Sequence, residues 1–314
     1  MDSMRSRRSF LTTAFTTGAA LMAAPSLLGA GERGNPGLAE PDKPFNLKYA
    51  PSVGMFRTLC GSDDPVDNIR FIYEKGFTAL FDNGLPGRSV ADQERIANEV
   101  HRLGMLMGPW VLYADFSKTS FVLNKPEVRD FLKAKMLEGI EVARRTGFKM
   151  ALVVPGRYDE RLHPDYQRSN VIDNLKYCAE LMEPEGITLV IEPLNTLHDH
   201  PGLYLTGMPQ AYQICEAVNS ASVKIVEDIY HQQITEGNII PNMEACWGQI
   251  VAFHVGDNPG RNEPTTGEIN YRNIFKYLRS RDYEGVICME HGHSIEGKEG
   301  EKRVIEAYRE CDLL

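Results

Sequence analysis

From residue 47 onward, short β-rich runs alternate with longer amphipathic stretches, and this alternation restricts the fold more than any other feature of the 314 residues. Candidate strands fall at 48–54, 77–82, 105–112, 149–154, 187–192, 223–228, 250–255 and 285–290. Helical patterns occupy 90–103, 126–146, 168–183, 208–219, 271–281 and 300–311. In the stretch 126–146, Val128, Phe131, Leu132, Met136 and Ile140 share one side; Pro126 suits a first turn and Gly147 a C-terminal stop. Eight strands alternating with helices predict a parallel sheet, either closed as a barrel or open and doubly wound. The open form expects a glycine-rich phosphate loop after an early strand, and Ser52-Val53-Gly54-Met55-Phe56-Arg57 lacks one. The expectation is a single α/β domain, a (β/α)8 TIM barrel over 47–314, with its chemistry at the C-terminal strand ends.

The first thirty residues differ from the rest. Arg5, Arg7 and Arg8 precede a mildly apolar run, Phe10 to Pro25, that ends in small residues. This is the layout of an export signal, and Ser6-Arg7-Arg8-Ser9-Phe10-Leu11 resembles the twin-arginine type, with Thr12 where a Lys often stands. A chance Arg pair in a tail is the alternative. The run is too rich in Thr and Gly to read as a membrane span. Residues 1–30 are thus expected to be a removable signal, 31–46 a linker, and the location periplasmic or otherwise exported. Such signals carry folded proteins, so a metal could be loaded before export.

Removing residues 1–30 takes the net charge from −9 to −11. An acidic body argues against a nucleic-acid partner, which requires a basic face. A small-molecule substrate is expected, with no stable membrane anchor; homo-oligomerisation stays open. Six cysteines without C-x-x-C spacing read as buried free thiols.

The late strands end in Glu192, Asp228, His254 and Glu290, at intervals of 36, 26 and 36 residues, each about one βα unit. Four successive strands thus deliver one potential metal ligand each to the same rim. If these point inward, period two also places Val190, Val226, Ala252 and Cys288 inside the barrel. Glu227 then faces the helices, where an acid needs a partner. Three carboxylates and one imidazole suit a hard divalent ion, Mn2+ or Mg2+ foremost, with Co2+ or Zn2+ as alternatives. Isolated polar residues capping the strands are the competing reading.

Ile191-Glu-Pro-Leu-Asn195, Glu227-Asp-Ile-Tyr-His-Gln-Gln233, Pro259-Gly-Arg-Asn-Glu-Pro-Thr-Thr-Gly-Glu-Ile-Asn-Tyr271 and Tyr283-Glu-Gly285 resemble the xylose isomerase-like barrel superfamily, most closely its hydroxypyruvate isomerases. The resemblance is strong over 185–292 and architectural over 47–184. It implies one metal held by Glu192, Asp228, His254 and Glu290. Hydroxypyruvate isomerases commonly carry Gln where His254 stands and ketose 3-epimerases carry His, so the substrate assignment stays open between the two.

The implied chemistry is proton transfer through an enediolate, with Glu192 and Glu290 as the acid/base pair. His231, three residues past Asp228, could donate to a substrate oxygen, and Arg261 could bind a carboxylate or hydroxyl. His163, His198 and His200 lie in loops near the rim, His291 and His293 follow Glu290, and His101 is a helix-surface residue. Glu263 and Glu268 read as structural. Trp110 and Tyr113 could wall the pocket or pack in the core. A dehydratase or lyase of a keto-sugar shares the first step and remains an alternative. A DNA-repair endonuclease needs more His ligands and a basic face. A non-catalytic sugar-binding module would have no use for both Glu192 and Glu290.

Overall fold

The computed structural model describes residues 41–313, so the expected signal and residues 31–40 of the expected linker lie outside the described residues. Among the described residues nine strands run in chain order: β1 (Lys48–Pro51), β2 (Ala79–Leu80), β3 (Leu106–Met107), β4 (Trp110–Tyr113), β5 (Met150–Val153), β6 (Thr188–Ile191), β7 (Val223–Asp228), β8 (Ile250–Val255) and β9 (Val286–Met289). The helices are α1 (Arg57–Cys60), α2 (Pro65–Glu74), α3 (Val90–Arg102), α4 (Pro126–Thr146), α5 (Pro164–Met182), α6 (Met208–Val218), α7 (Ile229–Thr235), α8 (Ile239–Cys246), α9 (Tyr271–Ser280) and α10 (Gly297–Asp312).

All paired strands are parallel, in the order β1-β9-β8-β7-β6-β5-β4 with a separate β2-β3 pair. Two contacts bring the β2-β3 pair into the wall: Ser52 bridges Phe81, and Val111 N donates to Asn83 O at 3.4 Å. The result is a curled α/β sheet of TIM-barrel form.

The expected strand 105–112 is split into β3 and β4 at Gly108-Pro109. Proline has no N–H for the ladder. At Gly108 a Cβ would meet Cys288 Sγ at 2.7 Å and Phe81 Cβ at 2.9 Å, so only glycine fits this approach to the barrel axis. Helix α5 starts four residues before the expected 168, because His163 accepts from Asp165 N at 3.3 Å and Pro164 fills the first turn. The expected pattern also omitted α1, α2, α7 and α8, which are short. Helix α2 is set by its caps, with Asp64 accepting from Val66 N at 2.8 Å ahead of Pro65.

Two apolar layers hold the barrel. The interior contains Val190, Val226, Ala252 and Cys288, as period two requires, together with Ala50, Ala79 and Leu152. The larger layer lies between sheet and helices. Its first member, Phe45, belongs to the stretch read as linker; it stacks on Phe77 at 4.5 Å. All six cysteines are free, five of them buried. No helix among the described residues is long and apolar enough to cross a membrane.

Candidate active site

Glu192 and Glu290 stand one residue past β6 and β9, Asp228 ends β7, and His254 lies in β8. Register pairs Asp228 with His254, and His254 with Cys288, the residue two before Glu290. The curl of the sheet then gathers the four side chains: one donor atom from each lies within 4.8 Å of the others. His254 Nδ1 is 2.8 Å from Glu192 Oε1 and 3.2 Å from Glu290 Oε2. Arg261 Nη2 is 2.8 Å from Glu290 Oε2 and 3.1 Å from Asp228 Oδ2. Asn83 donates to the other Glu290 oxygen at 2.6 Å.

The charges explain the protonation of each group. Burial, with Glu290 and Asp228 nearby, pushes Glu192 up to about 7 despite the pull of His254. Burial also opposes charge on Glu290, yet His254, Arg261 and the Asn83 bond outweigh it and hold this carboxyl below the usual range. His254 likewise overcomes its burial, held well above the ordinary imidazole value by Glu290 and Glu192. Three carboxylates packed this tightly call for positive charge, which His254 and Arg261 provide here. The set of three carboxylate oxygens and one imidazole nitrogen, almost wholly buried, fits a divalent cation.

His231 is tied down on one side only. Its Nδ1 faces Asn195 Nδ2 at 2.6 Å, while its Nε2 is buried with no partner among the described residues. Accepting at Nδ1 leaves the proton on Nε2, 3.6 Å from Asp228 Oδ2. Asp228 fixes the turn that carries His231 by accepting from its backbone N at 3.1 Å, as the N-cap of α7. Burial lowers the His231 pKa, and with Nδ1 facing the Asn195 amide the ring presents Nε2–H as its donor.

Arg261 lies over the Tyr230 ring at 4.8 Å, in a loop organised by buried Asp257. That carboxylate accepts from the backbone N–H groups of Asn258, Gly267 and Ile269 at 2.9–3.0 Å. Gly267 is required there, since a Cβ would lie 2.3 Å from Asn258 O. Glu263 is buried and accepts from the backbone N and the hydroxyl of Ser294, joining this loop to the one after β9. Glu268 accepts from Asn258 and Gln233. Both acids read as structural hold loops in place.

A cavity of about 400 Å³ opens above the cluster, lined by Glu192, His231, Arg261 and Glu290. Its apolar wall is Val111, Leu152, Val154 and Leu194, not Trp110 or Tyr113: Trp110 is fully buried in the core, and Tyr113 lines a separate surface pocket. His200 and His291 reach the cavity; His163, His198, His293 and His101 do not line it. Asn83 and Phe116 were absent from the expected site. Asn83 had a signal, its place just past β2 on the same rim. Phe116 had none, because only the tertiary fold brings its ring to 4.6 Å from His200.

Residues 70–311 match the xylose isomerase-like TIM barrel family, and the chain belongs to it. Hydroxypyruvate isomerase from Escherichia coli (strain K12) is 36% identical over 168 residues, which is 54% of this chain and 63% of that protein, under two thirds of its length. A family 2 AP endonuclease from Brucella melitensis superposes with a TM-score of 0.69 at 21% identity, covering 81% of this chain and 96% of the other. The 3-keto-D-glucoside 4-epimerase of E. coli gives 0.68 at 20% identity, covering 84% and 100%. Two such different chemistries on one backbone show the shared fold alone; the function has to be argued from the site.

Proposed function

We propose that the protein is a divalent-metal-dependent isomerase or epimerase of a small hydroxy-ketone, either a sugar or a hydroxypyruvate-like keto acid. The observation that carries this reading is the placement of Glu192 and Glu290. Coming from the ends of β6 and β9, both reach the same His254 nitrogen, and both line the same cavity. Two carboxylates around a single substrate space suit removal of a proton from one carbon and its return at another carbon or face.

Glu192, Asp228, His254 and Glu290 would hold the cation, Mn2+ or Mg2+ foremost. When bound, the ion supplies Lewis-acid stabilisation of the negative charge that develops on the substrate oxygens. The chain's own groups do the rest. Glu290, held ionised, takes the proton from the C–H between carbonyl and hydroxyl. Glu192, lining the same cavity, is the partner that returns a proton to another carbon or face. His231 Nε2–H donates to a substrate oxygen, and the Arg261 guanidinium binds a second oxygen or a carboxylate. The apolar wall limits water around the exchanging proton. The E. coli hydroxypyruvate isomerase supports the same reaction class.

The test is deuterium uptake from solvent into hydroxypyruvate and a panel of ketoses with Mn2+ present. Product differing only by the label indicates isomerisation or epimerisation, whereas loss of water indicates a dehydratase. Full exchange by Glu290→Gln would sink the two-glutamate assignment.

A further inference from the structure

A second cavity, of about 450 Å³, lies on the same rim between the turn after β1 and the loop after β9. His291 lines both cavities, so the two adjoin at this side chain. That side chain is fixed, its ring stacked on buried Tyr308 at 5.8 Å with Nε2 3.0 Å from the Tyr308 hydroxyl. The opposite walls are locked together as well. Glu301 of α10 accepts from the backbone N–H groups of Thr58 and Leu59 in α1, at 2.9 and 2.6 Å.

The lining is polar and mixed in sign. Arg57 and Glu296 face this space, and neither has an ion-pair partner among the described residues. His293 also lines it, and its Nε2 is buried without a hydrogen-bond partner among the described residues. An orphaned buried nitrogen costs stability unless something pairs with it. An anionic ligand would meet Glu296 and Glu301, and a cationic one would meet Arg57. Uncharged hydroxyls both donate and accept, so they can pair with each of these groups. Each cavity alone falls in the range of roughly 300–1,000 Å³ typical of small-ligand sites. A three-carbon keto acid would fill only part of either cavity.

We propose that the second cavity is a distal subsite for an uncharged, hydroxyl-rich ring, so that the substrate is a ketose bearing a second sugar residue. This rests on the reading of the Glu192–Glu290 cavity as the reaction centre. Binding is measured by calorimetry on the full chain with Mn2+, using D-fructose and the keto-disaccharides maltulose, lactulose and isomaltulose. At least one disaccharide is expected to bind tenfold or more tightly than D-fructose. Thr58→Trp, which plugs the cavity from an exposed position, and Arg57→Ala are both expected to abolish that advantage while leaving D-fructose binding unchanged. Equal binding of all four sugars, no binding by any disaccharide, or an advantage that survives both substitutions would overturn the proposal. Thermal unfolding confirms that each variant is folded, and two independent variants guard against one failing. Deuterium exchange into D-fructose reports separately on the reaction, so a failed subsite and a failed reaction assignment give different results.

Discussion

Nη2 of Arg261 lies 2.8 Å from Oε2 of Glu290, inside the group of carboxylates that would hold a cation. The same nitrogen is 3.1 Å from Asp228 Oδ2, and the guanidinium packs on Tyr230. Arg261 therefore supplies positive charge that a divalent ion would also supply. Arg261→Ala leaves Glu290 and Asp228 facing each other without it. Breaking a buried pair by removing one partner costs about 3–5 kcal/mol, and partial exposure of Arg261 places this case near the lower end. We expect the variant to unfold at lower temperature than the parent in EDTA, and Mn2+ to raise its midpoint by more than it raises the parent's. Equal Mn2+ shifts would show that Arg261 and the ion do not share these carboxylates.

His231 offers one free donor, and Asn195 keeps it aimed. His231→Gln should lower kcat/KM by roughly tenfold, the scale of one hydrogen bond to the reacting molecule. Asn195→Ala keeps the imidazole but releases its tautomer, so a smaller loss of the same kind is expected. Steady-state kinetics in the deuterium-exchange assay separate the two outcomes. A loss confined to the Asn195 variant would show that the Asn195 loop matters and the Nε2 proton does not.

Much of this site was legible before the fold was known, for a local reason. The βα repeat fixes where each strand ends, and period two fixes which side chains face in, so Glu192, Asp228, His254 and Glu290 converge from spacing alone. Their companions were harder to see. Asn83 follows a strand of only two residues, and the apolar wall includes Val111, which sits beyond the break at Gly108-Pro109. Phe116 and His200 meet across loops from different βα units, a contact set by tertiary packing.

The twin-arginine reading of Ser6 to Leu11 stays a proposal about residues outside those described. It rests on a charged run ahead of a mildly apolar one. Replacing Arg7 and Arg8 together with Lys preserves charge and length but removes the pair. Fractionation should then find the protein retained inside the cell, whereas the parent is found outside the inner membrane. Equal export of both forms would favour a chance arginine pair.

Glu227 is the acid whose surroundings fit its residue type least. It faces the helices from β7, is fully buried, and neither carboxylate oxygen has a hydrogen-bond partner among the described residues. Burial, with Glu236 and Asp228 adding like charge, pushes its pKa well above the carboxylate range. The folded protein thus keeps a proton that the unfolded chain releases near pH ~4.3. Its contribution is fully present below that pH and is lost as pH rises toward the folded value, at up to about 1.4 kcal/mol per pH unit. Glu227→Gln removes the ionisation but leaves an equally unpaired buried polar group, so it offsets the stability curve without that slope. Urea unfolding at pH 5, 6 and 7 should show the variant gaining on the parent at each step upward. Parallel curves for the two proteins would mean that Glu227 is ionised in the folded state and finds a partner there.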